Sequence, residues 1–370
     1  MNAMKILFVG DASNYHNTLA NAIASMGHDV TVASHGSYWM NTRRDIDISR
    51  PCKGKVGGAL LWIKLNTALR NSFKGYDVVQ ISSPTFLNLR PQRIREIFNR
   101  LKRDNGKVFL SALGTDCYYV DMCCKQNSPL KYSEWQIHGQ PGPNIKKKAD
   151  WHQPILRDHC RYIYDNIDGV VTALYEYDLS VREILSPDKF IYGGIPIDTN
   201  SVTPEFIDTP PESVSLFLGR HRDRQIEKGT DRMEKVARAI ANKYPNRCKL
   251  DIVENLPYEE YLRRLRDAHI VLDQLYSYTP ATNALLAMAM GLNTVSGGEE
   301  EYYEFIGEKE LRPIINAVPD DNELFNTLEN VILNPELIVK RSREGRAFVE
   351  KHNDSKVVAQ RFIDFWQQKM

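Results

Sequence analysis

Apolar and polar residues alternate in blocks along this chain. Short apolar runs ending in small or polar residues are followed by stretches whose apolar positions recur every three or four residues. The first run, Met4-Lys-Ile-Leu-Phe-Val9, stops at Gly10 and reads as a buried strand. Asp11-Ala-Ser-Asn-Tyr-His16 then leads into a helical face made by Leu19, Ala22, Ile23 and Met26. Asp29-Val-Thr-Val-Ala33 is the next strand. The alternation returns with strands over 77–81, 107–111 and 168–172, and helices over 59–71, 91–102 and 155–166. A short strand at 189–192 precedes the Gly/Pro-rich passage Gly193-Gly-Ile-Pro196-Ile-Asp198. Beyond it, Val214-Ser-Leu-Phe-Leu218, Leu250-Asp-Ile-Val-Glu254 and Ile270-Val-Leu-Asp-Gln274 repeat the strand pattern, and helices over 322–333, 335–351 and 357–366 close the chain. Strands feeding helices through short polar turns predict an α/β protein.

The Gly/Pro-rich passage marks a domain boundary. The chain of 370 residues has room for two domains: an N-terminal one over 1–195, a second over 196–352, and a terminal helix over 353–370. Charge divides in the same place. Residues 1–200 hold 25 Lys and Arg against 19 Asp and Glu, and the remainder holds 23 against 28. Two segments break the alternation. Residues 36–58 read as a polar loop, and 120–150 form an excursion with three Pro and three consecutive Lys. Loops of that length serve as lids or substrate contacts, or move.

No apolar run is long enough to span a bilayer, and the first residues enter a strand without the regions of a signal peptide. A cytoplasmic protein is expected. The six cysteines are scattered and form no CxxC pair, so reduced thiols and no metal site are expected. No basic patch with interleaved aromatics argues for nucleic acid. Arg93, Arg95, Arg100, Lys102 and Arg103 beside Ile94, Ile97, Phe98 and Leu101 make a basic amphipathic helix. Such a helix either packs on its sheet or provides peripheral contact with an inner membrane face.

Ligands of parallel sheets sit at the carboxyl ends of the strands. There the chain places Gly219-Arg220 and a basic segment reaching Lys228-Gly229, opposite a helix that starts near Thr282. Two cations facing a helix N-terminus suit a diphosphate. The turn after the first strand lacks G-x-G-x-x-G, so no dinucleotide cofactor is expected. Either its Asp11, Asn14 and His16 face a substrate, or Ser13 or Asn14 caps the helix. Asp116, in Leu113-Gly-Thr-Asp116 after the fourth strand, either contacts a polar substrate or bonds its own turn.

These pieces, in this order, resemble the GT-B glycosyltransferases, and within them the retaining glycosyltransferase family 4. Met4 to Gly10 matches the first strand and acceptor loop. Leu113-Gly-Thr-Asp116 is similar to the family's His-Gly-x-Asp region, with Leu in the His position. Gly194-Ile-Pro-Ile-Asp198 is similar to its interdomain turn, and Ala287-Met-Ala-Met-Gly291 to its Ala-Met-Ala-x-Gly helix. Gly219-Arg220 with Lys228-Gly229 is similar to its phosphate motif, with a longer spacer. The resemblance implies two Rossmann-like domains facing across a cleft, with the C-terminal helix crossing back to the first. It implies a nucleotide-diphosphate sugar as donor, held without a metal by Arg220 and Lys228, and Glu254 where the family reads base and ribose. It implies an acceptor, a sugar or lipid-linked hydroxyl, oriented by Asp116 or His16.

One departure stands out. Tyr278 and Leu286 occupy the places of two family glutamates that hold sugar and ribose. Neither accepts hydroxyl hydrogen bonds as a carboxylate does. Thr279, Thr282 and Asn283 are candidates to replace part of that role, and Glu299-Glu300-Glu301 either supplies a carboxylate or is a solvated loop. The first expectation is sugar transfer with retention, in polysaccharide or glycolipid assembly. The alternative is a binding or partner subunit that has lost turnover. A nucleotide-sugar epimerase is a third reading and needs acid–base side chains around the sugar.

Overall fold

The computed structural model describes residues 3–37, 40–222 and 224–370. The chain forms two compact units. One comprises Met1–Met122, Lys148–Pro196 and Ser355–Met370, the other Cys123–Lys147 and Ile197–Asp354. The strands of the first half are β1 (Lys5–Val9), β2 (Asp29–Ser34), β3 (Ile46–Asp47), β4 (Val78–Ile81), β5 (Lys107–Ala112), β6 (Gln136–Ile137), β7 (Gln140–Pro141), β8 (Gly169–Thr172) and β9 (Phe190–Tyr192). Those of the second are β10 (Val214–Arg220), β11 (Cys248–Glu254), β12 (Ile270–Leu272), β13 (Asn293–Ser296) and β14 (Ile315–Asn316).

The first unit holds a seven-stranded parallel sheet in the order β3-β2-β1-β4-β5-β8-β9. The second holds a five-stranded parallel sheet in the order β11-β10-β12-β13-β14. Parallel strands need crossover helices, and these cover the sheet and keep its strands uniformly apolar. Each order reverses once beside its first strand, between β1 and β4 and between β10 and β12. Both units are Rossmann-like.

The C-terminal helix Ser355–Lys369 belongs to the first unit and buries Phe362, Ile363, Phe365 and Trp366. The Phe365 ring meets Phe109 at 5.7 Å and Trp366 meets Phe8 at 6.1 Å. A buried polar chain is tied to the same helix. Trp366 Nε1 donates to Gln80 Oε1 at 3.0 Å, and Gln80 Nε2 donates to Ser111 Oγ at 2.9 Å. Ser111 lies 2.9 Å from His16 Nε2, and His16 Nδ1 lies 2.7 Å from the Gly10 carbonyl. A carbonyl only accepts, so Nδ1 carries the proton and Nε2 accepts from Ser111. Every member is satisfied in one direction, from the C-terminal helix to the loop after β1.

Two sequence expectations change, and the basic helix takes the packed form of its two readings. The helix expected over 59–71 runs Gly54–Asn66. Its Gly57-Gly58 pair reads as loop in sequence but serves close packing: a Cβ on Gly57 would lie 1.6 Å from the Cys52 carbonyl oxygen. The excursion after residue 120 is not part of the first unit. Within it β6 and β7 form a hairpin through His138 and Gly139, at φ 49° and 79°. Positive φ at both positions is the twist-compatible hairpin turn. Tyr132 and Trp135 are buried, and Ile137 packs on the Val214/Leu216/Leu218 core, so the segment joins the second unit. Finally, the basic helix Pro91–Asp104 spends its cations internally. Arg95 pairs with Asp158 at 2.8 Å, Lys102 with Asp168 at 2.6 Å and Arg103 with Asp104 at 2.7 Å. Arg100 donates to Asn66 and to the Leu65 carbonyl, and Arg93 to the Gly58 carbonyl. It is a surface helix packed on its sheet. Among the described residues no helix is long and apolar enough to cross a membrane.

Replacing Trp366 by Phe keeps the ring packing but leaves Gln80 Oε1 without its buried donor. A loss of about 1–3 kcal/mol is expected, read as a lower urea midpoint with unchanged m-value.

Candidate functional site

In the second unit the strand order reverses between β10 and β12, which opens a crevice at their carboxyl ends. Arg220 ends β10. Its Nη1 lies 2.5 Å from Glu234 and its Nε 2.8 Å from Glu254, the residue registered against it at the end of β11. Glu254 also takes Arg222 at 2.6 Å. That hydrogen bond, reinforced by Arg220, holds the Glu254 carboxyl below its usual range. Asp273 follows β12, is 2% exposed, and faces Lys228 at 3.4 Å and Ser296 Oγ at 3.2 Å. Lys228 ends a short turn of helix, Gln225–Lys228, that Gly229 terminates at φ 71°. Arg220, Arg222 and Lys228 are thus all paired with carboxylates, and Arg238 also reaches Glu234 at 2.9 Å. Bare phosphate must compete with the carboxylates these cations already hold. A ligand carrying both anionic oxygens and hydroxyl donors can match cations and carboxylates alike.

The helix Thr282–Ala289 starts beside this edge, and no side chain caps its N-terminus at Ala281. Its first N–H groups therefore stay open to an anion. Tyr261 ties it to β10. The ring packs so closely on Gly219 that a Cβ there would lie 2.5 Å from it, and its hydroxyl donates to Asn283 Oδ1 at 2.7 Å. Burial and the nearby Asp273 charge both raise the Tyr261 hydroxyl pKa. Arg220, Lys228, Glu254, Thr282 and Asn283 accordingly lie along one edge. Sequence reasoning missed Glu234, Tyr261 and Asp273. For Asp273 the signal was present, a carboxylate directly after an apolar strand.

Tyr278 takes a different role. It is fully buried, its hydroxyl accepts from the Lys131 backbone N–H at 2.6 Å, and its ring meets Tyr132 at 5.0 Å. Tyr132 in turn donates to Glu299 Oε1 at 2.8 Å, which also takes Asn316 Nδ2 at 2.6 Å. Lys131 Nζ pairs with Glu301 at 2.7 Å. Glu299 is thus a buried anchor, not a solvated loop residue, and Tyr278 fastens the hairpin segment. Leu286 is a partly buried core contact. Thr279 is buried, with its carbonyl and N–H both bonded to Ser277 Oγ, at 2.7 and 3.2 Å, so its backbone is committed to the turn.

The first unit's two candidates are built into their loops. Asp116 is 6% exposed; its Oδ1 accepts from the Tyr119 N–H at 2.9 Å and its Oδ2 from the Tyr164 hydroxyl at 2.7 Å. Burial pushes its carboxyl above the usual range, against the pull of those bonds. It caps its own turn. His16 is fully buried with both ring nitrogens bonded, and burial lowers its pKa. Asp11 holds the same loop, accepting from the His16 N–H and from Ser37 Oγ, each at 2.8 Å. Asp116 and His16 each hold their own loop through these bonds.

In sequence, the chain matches no protein-family model and no curated protein. In structure it is similar to GT-B glycosyltransferases over its whole length. Sucrose-phosphate synthase from Thermosynechococcus elongatus superimposes with a TM-score of 0.61 at 12% identity, covering 99% of each chain. HepE from Anabaena, solved in complex with UDP-glucose, gives 0.60 at 11% identity, covering 99% of this chain and 100% of that one. WaaG, a glycosyltransferase involved in lipopolysaccharide biosynthesis, gives 0.57 at 12%, covering 97% and 98%. The fold is therefore GT-B.

Two measurements probe this arrangement. Tyr278→Phe removes the acceptor of the Lys131 N–H, and trypsin is expected to cut within 123–147 several-fold faster while the rest of the chain resists. Unchanged cleavage would dissociate Tyr278 from the hairpin. His16 contributes a pH dependence. The unfolded ring, with its ordinary pKa of 6.5, takes up a proton that the buried ring does not, so stability through this group falls as pH drops below 6.5. In His16→Gln the loss of stability between pH 7 and pH 5 should be smaller, by up to about 1.4 kcal/mol per pH unit.

Proposed function

We propose that this protein transfers a sugar from a nucleoside-diphosphate sugar to an acceptor hydroxyl, with retention of anomeric configuration. The observation that carries the reading is the pair of Arg220, at the carboxyl end of β10, and Lys228, facing Asp273 after β12, beside the uncapped helix Thr282–Ala289 in a GT-B fold. The two cations and the helix N–H groups take the diphosphate as it leaves, which supplies electrostatic stabilisation without a metal. Glu254, held in place by two arginines, accepts from ribose hydroxyls. In the transfer step the bond from the anomeric carbon to the phosphate oxygen breaks. The acceptor oxygen bonds to that carbon on the same face, and its proton passes to a phosphate oxygen. No separate protein base is required, which suits an edge whose carboxylates are all paired.

Asp116 and His16 serve by fixing the acceptor-side loops from beneath. The acceptor is a sugar or lipid-linked hydroxyl, in polysaccharide or glycolipid assembly, a setting supported by the fold shared with WaaG. The fold shared with HepE makes UDP-glucose the first donor to try.

A thermal-shift series with UDP, GDP, ADP and dTDP, with and without magnesium, tests the site. One diphosphate should raise the melting temperature by mass action whether or not the metal is present. Arg220→Ala and Lys228→Ala should each abolish that rise. No rise with any of the four contradicts the proposal.

A further inference from the structure

The helix Gly54–Asn66 is apolar on two opposite faces. One face, Gly57, Gly58, Leu61 and Leu65, is buried. The other carries Val56, Leu60 and Ile63, which are 65%, 44% and 55% exposed. At about 100° per residue these three fall within an arc of about 60° and form one stripe along the helix. The remaining exposed large apolar residues, Ile155, Ile226, Leu333 and Met370, occur singly. A continuous apolar stripe left in water marks a surface that something covers.

The surroundings say what kind of partner. Lys53 and Lys64 lie on one flank of the stripe and Lys55 on the other. Residues 40–74 hold eight Lys and Arg, two Asp and no Glu. The two aspartates are already paired, Asp45 with Arg43 at 3.3 Å and Asp47 with Arg44 at 3.6 Å. Lys64 donates to the Asp47 carbonyl, and its charge also acts on the Asp47 carboxylate. Among the described residues neither Lys53 nor Lys55, both exposed, has a carboxylate within ion-pair distance. Arg93 bonds the Gly58 carbonyl and stacks 5.2 Å from the Trp62 ring, so the helix is held in place by its inner side.

We propose that this face docks on an anionic lipid surface. Val56, Leu60 and Ile63 enter the boundary between headgroups and acyl chains while the flanking lysines meet anionic headgroups, their stems lying along the apolar layer. A second copy of the same face is disfavoured, because the same lysine flanks would meet each other. Three apolar side chains make the contact reversible and dependent on lipid charge. The inference is independent of the nucleotide-sugar reading. It assigns membrane contact to a different helix from the basic one at Pro91–Asp104, whose cations are engaged within the unit.

The full chain is sedimented with vesicles of phosphatidylcholine alone and of phosphatidylcholine mixed with phosphatidylglycerol. Binding is expected to the mixed vesicles, to weaken as salt is raised, and to be nearly absent on phosphatidylcholine. Leu60→Asp with Ile63→Asp should reduce bound protein by about tenfold, as should Lys53→Glu with Lys55→Glu. All four positions are on the surface, so circular dichroism and melting temperature should stay as in the wild type. The proposal is overturned if the wild type ignores mixed vesicles or if either double variant binds them equally well. It is also overturned if light scattering shows a dimer that Leu60→Asp with Ile63→Asp converts to monomer.

Discussion

Parallel pairing is the constraint on which the rest depends. A parallel strand cannot return through a tight turn, so each crossover climbs a helix and every strand in the sheet delivers its carboxyl end to the same edge. In the second unit this brings Arg220, Glu254 and Asp273 to one line although 34 and 53 positions separate Glu254 and Asp273 from Arg220 in the chain. Where the order reverses beside β10, the two crossovers leave in opposite directions and the edge stays open. The cations at that edge are not free charges waiting for an anion. Arg220 is gripped by Glu234 and Glu254, and Lys228 leans on Asp273. Such pairing keeps their geometry in the absence of ligand.

The first unit uses hydrogen bonding for a comparable purpose. The chain from Trp366 through Gln80, Ser111 and His16 to Gly10 fastens the last helix to the loop after the first strand. A histidine and an aspartate at strand ends look like reactive groups in sequence. In the fold they are members of closed networks, and their perturbed pKa values follow from burial. Tyr278 shows the same economy in the second unit: where the resemblance places a sugar-binding glutamate, the tyrosine hydroxyl and ring instead hold Lys131 and Tyr132.

Much of the fold was legible because its signals are local. Apolar runs such as Val214 to Leu218 and the periodic stretch after Tyr15 announce strands and helices within ten residues. Gly57-Gly58 misled because a glycine chosen for close approach looks the same in sequence as one chosen for a turn. The hairpin of 123–147 was opaque for another reason. Its partners, Tyr278 and Glu299, lie about 150 positions away, and nothing in its Pro- and Lys-rich composition names them. The candidate site divides along the same line. Arg220 and Lys228 are named by a local motif and Asp273 by its place after an apolar strand, whereas the pairing of Glu234 with Arg220 emerges only when helix and sheet are assembled.

The account stands or falls on whether a diphosphate seats at the edge of β10. Phosphorus-31 NMR of UDP, GDP, ADP and dTDP reads that contact directly. With one of them, both phosphorus resonances should shift or broaden on adding protein, and should return to their free positions with Arg220→Ala. Resonances that stay at their free positions for all four nucleotides would contradict the account.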